Sequence, residues 1–251
     1  MKNSFGIFDQ IMRSFAIMKK DIKIYYSKGP VVLMGVLWPG FMFVSFAFGR
    51  GISMAALMPG LISVSVFFTC SAISPVVFPW EGQARTLERL VSTPVAVWTI
   101  LFGDMLASAL TGIIISIIPI VITVAVGTNI VDPFILIIAI LLGSICFSTM
   151  ALLLSFPPVN QPAPIQMLST LVKFPLMFIS GVFVPLSQLP EWARIVASIS
   201  PLTYFTDIAR YATGGESHYS IAVNLLALVA FTVVSWVVAV KLHNRTMPMR
   251  V

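Results

Sequence analysis

The chain has 251 residues, of which 58% are hydrophobic and only 10% are charged, and its formal net charge is +6. A soluble domain carries about 25% charged residues, so this composition excludes a water-soluble fold and predicts an all-α membrane protein. We attribute the positive charge to membrane topology and contact with anionic lipid headgroups, rather than to nucleic-acid binding.

Residues 5–26 predict an amphipathic helix rather than a membrane span. Three lysines near its end, Lys19, Lys20 and Lys23, are placed to reach lipid headgroups. We expect this helix to lie along the cytoplasmic membrane surface; a cytosolic helix packed against a partner is the alternative. Its apolar residues recur at steps of three and four: Phe5, Phe8, Met12, Phe15, Met18 and Ile22.

Six later segments are long and apolar enough to cross roughly 30 Å of hydrocarbon as helices. They show no short alternating pattern of the kind that a β-barrel needs. We therefore predict one membrane domain over residues 1–251, with an interfacial segment 1–29, a six-helix bundle 31–240 and a cytoplasmic tail 241–251. The predicted spans are Val31–Phe48, Ala55–Phe78, Val95–Val126, Phe134–Ser155, Ile165–Val184 and Ile221–Val240.

Lysine and arginine set the expected orientation, because they accumulate in cytoplasmic segments. With the N-terminus inside, eleven of the fifteen fall in cytoplasmic segments, three (Arg50, Arg194 and Arg210) fall in outside loops, and Lys173 falls within a span. Both termini are therefore expected in the cytoplasm.

The segment Glu81–Pro94 is the only sizeable inside loop and predicts a short charged helix. Leu87, Leu90 and Val91 would share one face of it, and Thr93 would cap the third span with Pro94 at its first position. A helix joined rigidly to a span in this way can act as a lever. A solvated connector is the alternative.

A second unusual segment follows the fifth span. Two short helices are expected there, one beginning at Leu189-Pro190 and the other running over Leu202–Thr213 and closed by Gly214-Gly215. The aromatic rings of Trp192 and Tyr204 are typical of membrane interfaces, so we expect both helices half-sunk in the outer leaflet.

Catalytic motifs are missing from the sequence. It contains no phosphate-binding loop of the Gly-x-x-x-x-Gly-Lys-Ser/Thr type, and His218 and His243 stand apart from each other. Asp104 and Lys173 fall within spans, where charged residues are candidates for function. A position near the interface for Asp104, and snorkelling for Lys173, are the alternatives.

Two motifs resemble those of ABC-2-type permeases, and within that family the multidrug and daunorubicin exporters. The first is Glu81–Leu90 followed by Ser92-Thr93-Pro94, which is similar to the family's first cytoplasmic loop. The second is Ile179–Pro185, then Leu189–Trp192 and Ser200–Tyr204, where Ser200 replaces the family's usual Asn. Six spans and an interfacial N-terminal helix match the same family.

The resemblance implies a non-enzymatic permease of the plasma membrane. It would pair as a homodimer, or as a heterodimer with a related permease, and would bind a separate ABC ATPase that holds ATP and Mg²⁺; no cofactor is expected in this chain. Residues 5–26 would form the connecting helix. The residues expected to contact the ATPase are Glu81, Arg85, Leu87, Glu88, Arg89, Leu90 and Val91.

The expected mechanism is outward expulsion of a substrate held between the fifth and second spans. An ion-coupled secondary transporter and a non-transporting partner of an ATPase are the rival functions, and drugs, lipids, glycans and ions all stay open as substrates. The expected substrate path comprises Phe67, Phe68, Lys173, Phe174, Met177 and Phe178. The expected exit gate of re-entrant helices comprises Gly181, Pro185, Pro190, Trp192, Pro201 and Tyr204.

Overall fold

The structure, a computed structural model, describes residues 6–50 and 54–247, and all regular elements within these ranges are helical. The predicted all-α class is confirmed. The predicted helix start at residue 5, the loop at 51–53 and the tail beyond 247 lie outside the described residues. The α-helices are α1 (Ile7–Asp21), α2 (Gly29–Val32), α3 (Trp38–Arg50), α4 (Met54–Ala72), α5 (Ser74–Gln83), α6 (Thr86–Ser92), α7 (Val97–Ala125), α8 (Pro133–Leu154), α9 (Pro162–Ile179), α10 (Glu191–Ala197), α11 (Pro201–Ala212) and α12 (Ile221–Thr246). π-Helical turns at Ile22–Tyr26 and Leu33–Leu37 extend α1 and join α2 to α3, and a 3₁₀ turn spans Leu186–Gln188.

Five helical segments in the described part of the chain are long and apolar enough to cross a membrane. They are Ala55–Gln83, which combines α4 and α5, together with α7, α8, α9 and α12. The region of the first predicted span is helical, but its apolar stretch, Gly35–Gly49, is shorter. A multi-pass membrane protein is thus supported, while the count of six spans stays a prediction.

Several span boundaries differ from the sequence prediction; the last span, for example, runs to Thr246 rather than Val240. The second span does not end at Phe78, because α5 continues the apolar helix to Gln83 after a break at Ile73. The fifth ends at Ile179 rather than Val184. Gly181 adopts a left-handed φ of 71°, a conformation that glycine tolerates and that turns the chain out of the helix.

The predicted N-cap of the third span is wrong. Thr93 instead ends α6, and α7 begins at Val97 after an extended Ala96. Proline disfavours helical geometry in the residue that precedes it, and Thr93, which precedes Pro94, is accordingly extended with ψ 156°. The sequence Thr-Pro therefore separates the two helices here instead of starting the second one.

The centre of the bundle is α4, which packs against α7, α8 and α11. Small residues allow this close packing: a Cβ on Gly143 of α8 would lie 2.3 Å from the ring of Phe205 on α11. Nine residues of α11 are buried against protein, and the expected position of α11 in the outer leaflet stays a prediction. The preceding α10 is the more exposed helix, with Trp192 and Ile195 each about 70% exposed.

Candidate functional site

The N-terminal helix α1 is fastened to the start of α7 by one buried glutamine. The side chain of Gln10 accepts hydrogen bonds from the amide of Ala96 (3.2 Å) and the hydroxyl of Thr99 (2.8 Å), and it donates to the carbonyl of Pro94 (3.3 Å). Arg13 donates to the same carbonyl at 2.6 Å. The first turn of α7 has amides without intrahelical partners, and α1 supplies an acceptor for one of them.

The end of α5 is tied to α1 by an ion pair. The ammonium of Lys20 contacts the carboxylates of both Glu81 and Asp21, the latter at 3.0 Å. Burial raises the pKa of Asp21 to about 6, although the charge of Lys20 opposes this shift. Burial alone would lower the pKa of Lys20, but the two carboxylates raise it above its ordinary value.

Asp104 of α7 makes a second buried polar contact near the end of α1. It is buried and accepts hydrogen bonds from the Tyr26 hydroxyl (2.9 Å) and the Ser74 hydroxyl (2.5 Å). It therefore joins the end of α1, the start of α5 and α7. The carboxylate thus has partners on two other elements, and the alternative that it lies near the interface stays open.

The short helix α6 presents its charges outward and its apolar face inward. Leu87 is fully buried among Ile17 of α1, Phe78 of α5 and Leu101 of α7. The expectation that Leu87 faces a partner is therefore wrong. The half-buried side chains of Leu90 and Val91 pack against the same cluster. The exposed charged residues are Arg85, Glu88 and Arg89.

Glu81 also departs from the prediction. It belongs to α5, not to the short loop helix, and it is only 2% exposed. Its partner is Lys20 within the same chain. We therefore expect any contact with an ATPase to involve Arg85, Glu88 and Arg89; that role itself stays a prediction.

An aromatic cavity lies between α3, α4 and α9. The rings of Trp38, Phe68 and Phe174 contact one another, with centroids 4.8 to 5.7 Å apart. The cavity has a volume of about 210 Å³. The buried ammonium of Lys173 lies 5.8 Å from the centroid of the Phe68 ring and donates to the carbonyl of Ser71 at 2.9 Å. The remaining lining residues are Ala72, Gln166 and Thr170.

The structure brings together three of the six residues expected on the substrate path, namely Phe68, Lys173 and Phe174. Phe67 points elsewhere and packs edge-on against Phe147 in the core, where Met177 is also buried. Phe178 is 57% exposed and lies outside the cavity lining. A transport role for any of them stays a prediction.

Hydrogen bonds fold the segment after α9 back onto the bundle. The hydroxyl of Ser180 donates to that of Ser200 at 2.6 Å, and the guanidinium of Arg210 donates to the carbonyl of Gly181 at 2.9 Å. Tyr204 donates to the carbonyl of Ser198 at 2.9 Å. Prolines precede or begin the short elements of this segment, namely Pro185, Pro190 and Pro201; the helix start at Pro190 agrees with the prediction.

Asp207 organises the return of this segment to the last helix. Its buried carboxylate accepts from the amides of His218 and Tyr219 and from the side chain of Asn224, at 2.8 to 2.9 Å. Three donors satisfy a carboxylate that would otherwise be costly to bury. Gly214, with φ 83°, closes α11 where the sequence predicted its end.

The sequence did not single out Gln10, Ser14 and Asp21, because the apolar residues of α1 form the more obvious periodic pattern. These residues recur with Ile17 at steps of four, three and four, and all four are buried. This second stripe packs on α7, while the apolar residues Phe8 and Met12 point outward. The periodicity of the polar residues was the available signal.

Comparisons with known proteins identify the family. Residues 12–213 match the family of ABC-2 type transporters. The chain is similar to the inner membrane transport permease YadH of Escherichia coli K12, with 25% identity over 193 residues, covering 76% of this chain and 75% of the relative. The Shigella flexneri permease of the same name gives the same identity and coverage.

Proposed function

Because the chain belongs to the ABC-2 type transporter family, we propose that it is the membrane-spanning permease of an exporter powered by a separate ATPase. The relatives are inner membrane permeases, so we place this chain in the cytoplasmic membrane with both termini inside. It would act as a homodimer or beside a related permease, and ATP and Mg²⁺ would bind only to the partner ATPase.

The observation that carries this proposal is the way α6 is built into the permease. Its inner face is anchored by the buried Leu87, and α1 beside it is fixed to α7 through Gln10. A push on α6 would therefore move α5 and α7 with it, as a rigid-body coupling requires. The charged outer residues of α6 are free of this packing and face solvent.

A matched pair of charge reversals tests the docking surface. Glu88 and Glu191 are both exposed and both lie in the first turn of a seven-residue helix. They fall on opposite sides of the membrane in the proposed topology. We expect Glu88→Lys combined with Arg89→Glu to reduce co-purification of the ATPase at least tenfold, because charge complementarity guides such association. Glu191→Lys should leave it unchanged.

The readout is the amount of ATP-binding subunit recovered with tagged permease, normalised to permease that elutes as one peak in size-exclusion chromatography. Equal recovery with the α6 variant and with Glu191→Lys would move the docking surface away from α6.

A further inference from the structure

Lys173 is a buried cation without a carboxylate partner in the described part of the chain. It is 3% exposed, and the ion pairs found there all involve Lys20. It follows the start of α9 by eleven residues, about 16 Å along the helix, and precedes the end at Ile179 by six, so it lies well inside the proposed span. An unpaired ammonium at that depth is costly, and charges kept inside the membrane mark functional sites.

The local contacts of Lys173 do not neutralise it. An ammonium has three donors, and one of them goes to the carbonyl of Ser71. The Phe68 ring offers a weak cation–π contact at 5.8 Å. The charge therefore has capacity left for a negatively charged group.

The cavity beside Lys173 defines the rest of the ligand. Three of its seven lining residues are aromatic and a fourth is Ala72, and Gln166 and Thr170 provide the polar groups besides the lysine. None of the described residues that line it is acidic. Such a combination of apolar wall and few polar groups is typical of small-molecule sites, and here it disfavours cations.

We propose that this cavity binds an anionic amphiphile: a carboxylate, sulfonate or phosphate group against Lys173, with an apolar or aromatic body between Trp38, Phe68 and Phe174. The inference that this cavity is the cargo site of an exporter rests on the proposed function. The same chemistry fits a soluble aromatic anion and the headgroup of an anionic lipid.

Binding is tested with three dansyl probes that differ in charge: dansylglycine (anion), dansylamide (neutral) and dansylcadaverine (cation). The full-length chain is placed in phosphatidylcholine nanodiscs, and energy transfer from tryptophan to dansyl is measured against empty discs. We expect dansylglycine to bind at least tenfold more tightly than the other two. Trp38→Phe should reduce the energy transfer if the probe occupies this cavity.

Variants assign the preference to the charge. Lys173→Met should weaken dansylglycine binding at least tenfold and leave dansylamide unchanged, whereas Lys173→Arg should keep the anion preference. Lys241→Met removes an exposed lysine at the end of α12 and serves as the control. If Lys173→Met does not fold, the relative affinities of the three probes for the wild-type chain still test the proposal.

Phosphatidylglycerol added to the discs distinguishes the two possible ligands, a soluble aromatic anion and the headgroup of an anionic lipid. Displacement of dansylglycine by this lipid identifies an anionic headgroup as the occupant, and undiminished binding identifies a soluble anion. Equal affinity for all three probes, or unchanged dansylglycine binding in Lys173→Met, would overturn the proposal. Because no ATPase is used, a failed binding test leaves the proposed export function standing, and a missing ATPase partner leaves the binding result standing.

Discussion

Replacing Leu87 by Ala should loosen α6 from the permease while leaving the bundle folded. Leu87 is fully buried, and it is the buried residue of a seven-residue helix. Truncating such a leucine costs about 2–5 kcal/mol. Since the other apolar residues that hold α6, Leu90 and Val91, are only half-buried, most of this cost should fall on its local docking equilibrium.

That energy corresponds to at least about a 30-fold increase in the open population of α6, at 1.4 kcal/mol for each factor of ten. Hydrogen exchange of the amides of residues 86–92, measured by mass spectrometry in nanodiscs, reports such local opening. We expect exchange there to accelerate by that factor or more, while the amides of α8 stay protected. The ATPase should still co-purify, but less transport should occur per ATP hydrolysed.

Arg89→Ala is the matched control, because Arg89 is an exposed neighbour on the same helix. It should leave the exchange rate of α6 unchanged. Unaltered exchange in Leu87→Ala would refute the reasoning that this side chain anchors the helix. Accelerated exchange throughout the bundle would show that Leu87 supports the whole fold rather than α6.

Three further predictions follow from the contacts of α1 and from the topology. Gly103→Ala places a Cβ 2.8 Å from the backbone carbonyl of Ser14, so α1 must shift; we expect a lower Tm, whereas Gly40→Ala, with nothing within 4 Å, should leave Tm unchanged. The pKa of Asp21 is raised to about 6, so the folded state favours its protonated form, and this contribution to stability is lost as pH rises from about 4 through 6. Asp21→Asn should therefore flatten the dependence of Tm on pH between about 4 and 6. Glu88→Gln, at an exposed position, should leave that dependence unchanged. Finally, with Cys70 and Cys146 replaced, an impermeant thiol reagent should label Gln83→Cys only from the cytoplasmic side and Glu216→Cys only from outside, and labelling of Glu216→Cys from the cytoplasm alone would overturn the topology.

The sequence was sufficient to predict the helical spans because each depends mainly on a continuous run of apolar residues. α7, α8 and the start of α12 agree with the prediction within two residues. Glycine and proline signals at Gly214 and Pro201 also placed the ends of α11 to within one residue, since local backbone geometry decides them.

The direction in which α6 faces could not be predicted in the same way. An apolar face on a short loop helix fits a partner protein as well as the chain's own bundle, and only the tertiary position of Ile17 and Leu101 decides between them. The cap that Gln10 gives to α7 comes from more than eighty residues away, so no local pattern at Thr93–Val97 could reveal it. Lys173 was recognisable as an intramembrane charge, but its cavity depends on how α9 packs beside Trp38 and Phe68.

The central claim is that ATP hydrolysis by a separate subunit drives this permease. The most direct test is to purify the tagged chain from its native membranes with its associated proteins, and to measure ATP hydrolysis with and without a mutation of the phosphate-loop lysine in the ATP-binding chain that accompanies it. The account predicts that such a chain is recovered and that this mutation abolishes hydrolysis. Hydrolysis that persists with the mutated partner, or recovery of the permease without any ATP-binding chain, would contradict it.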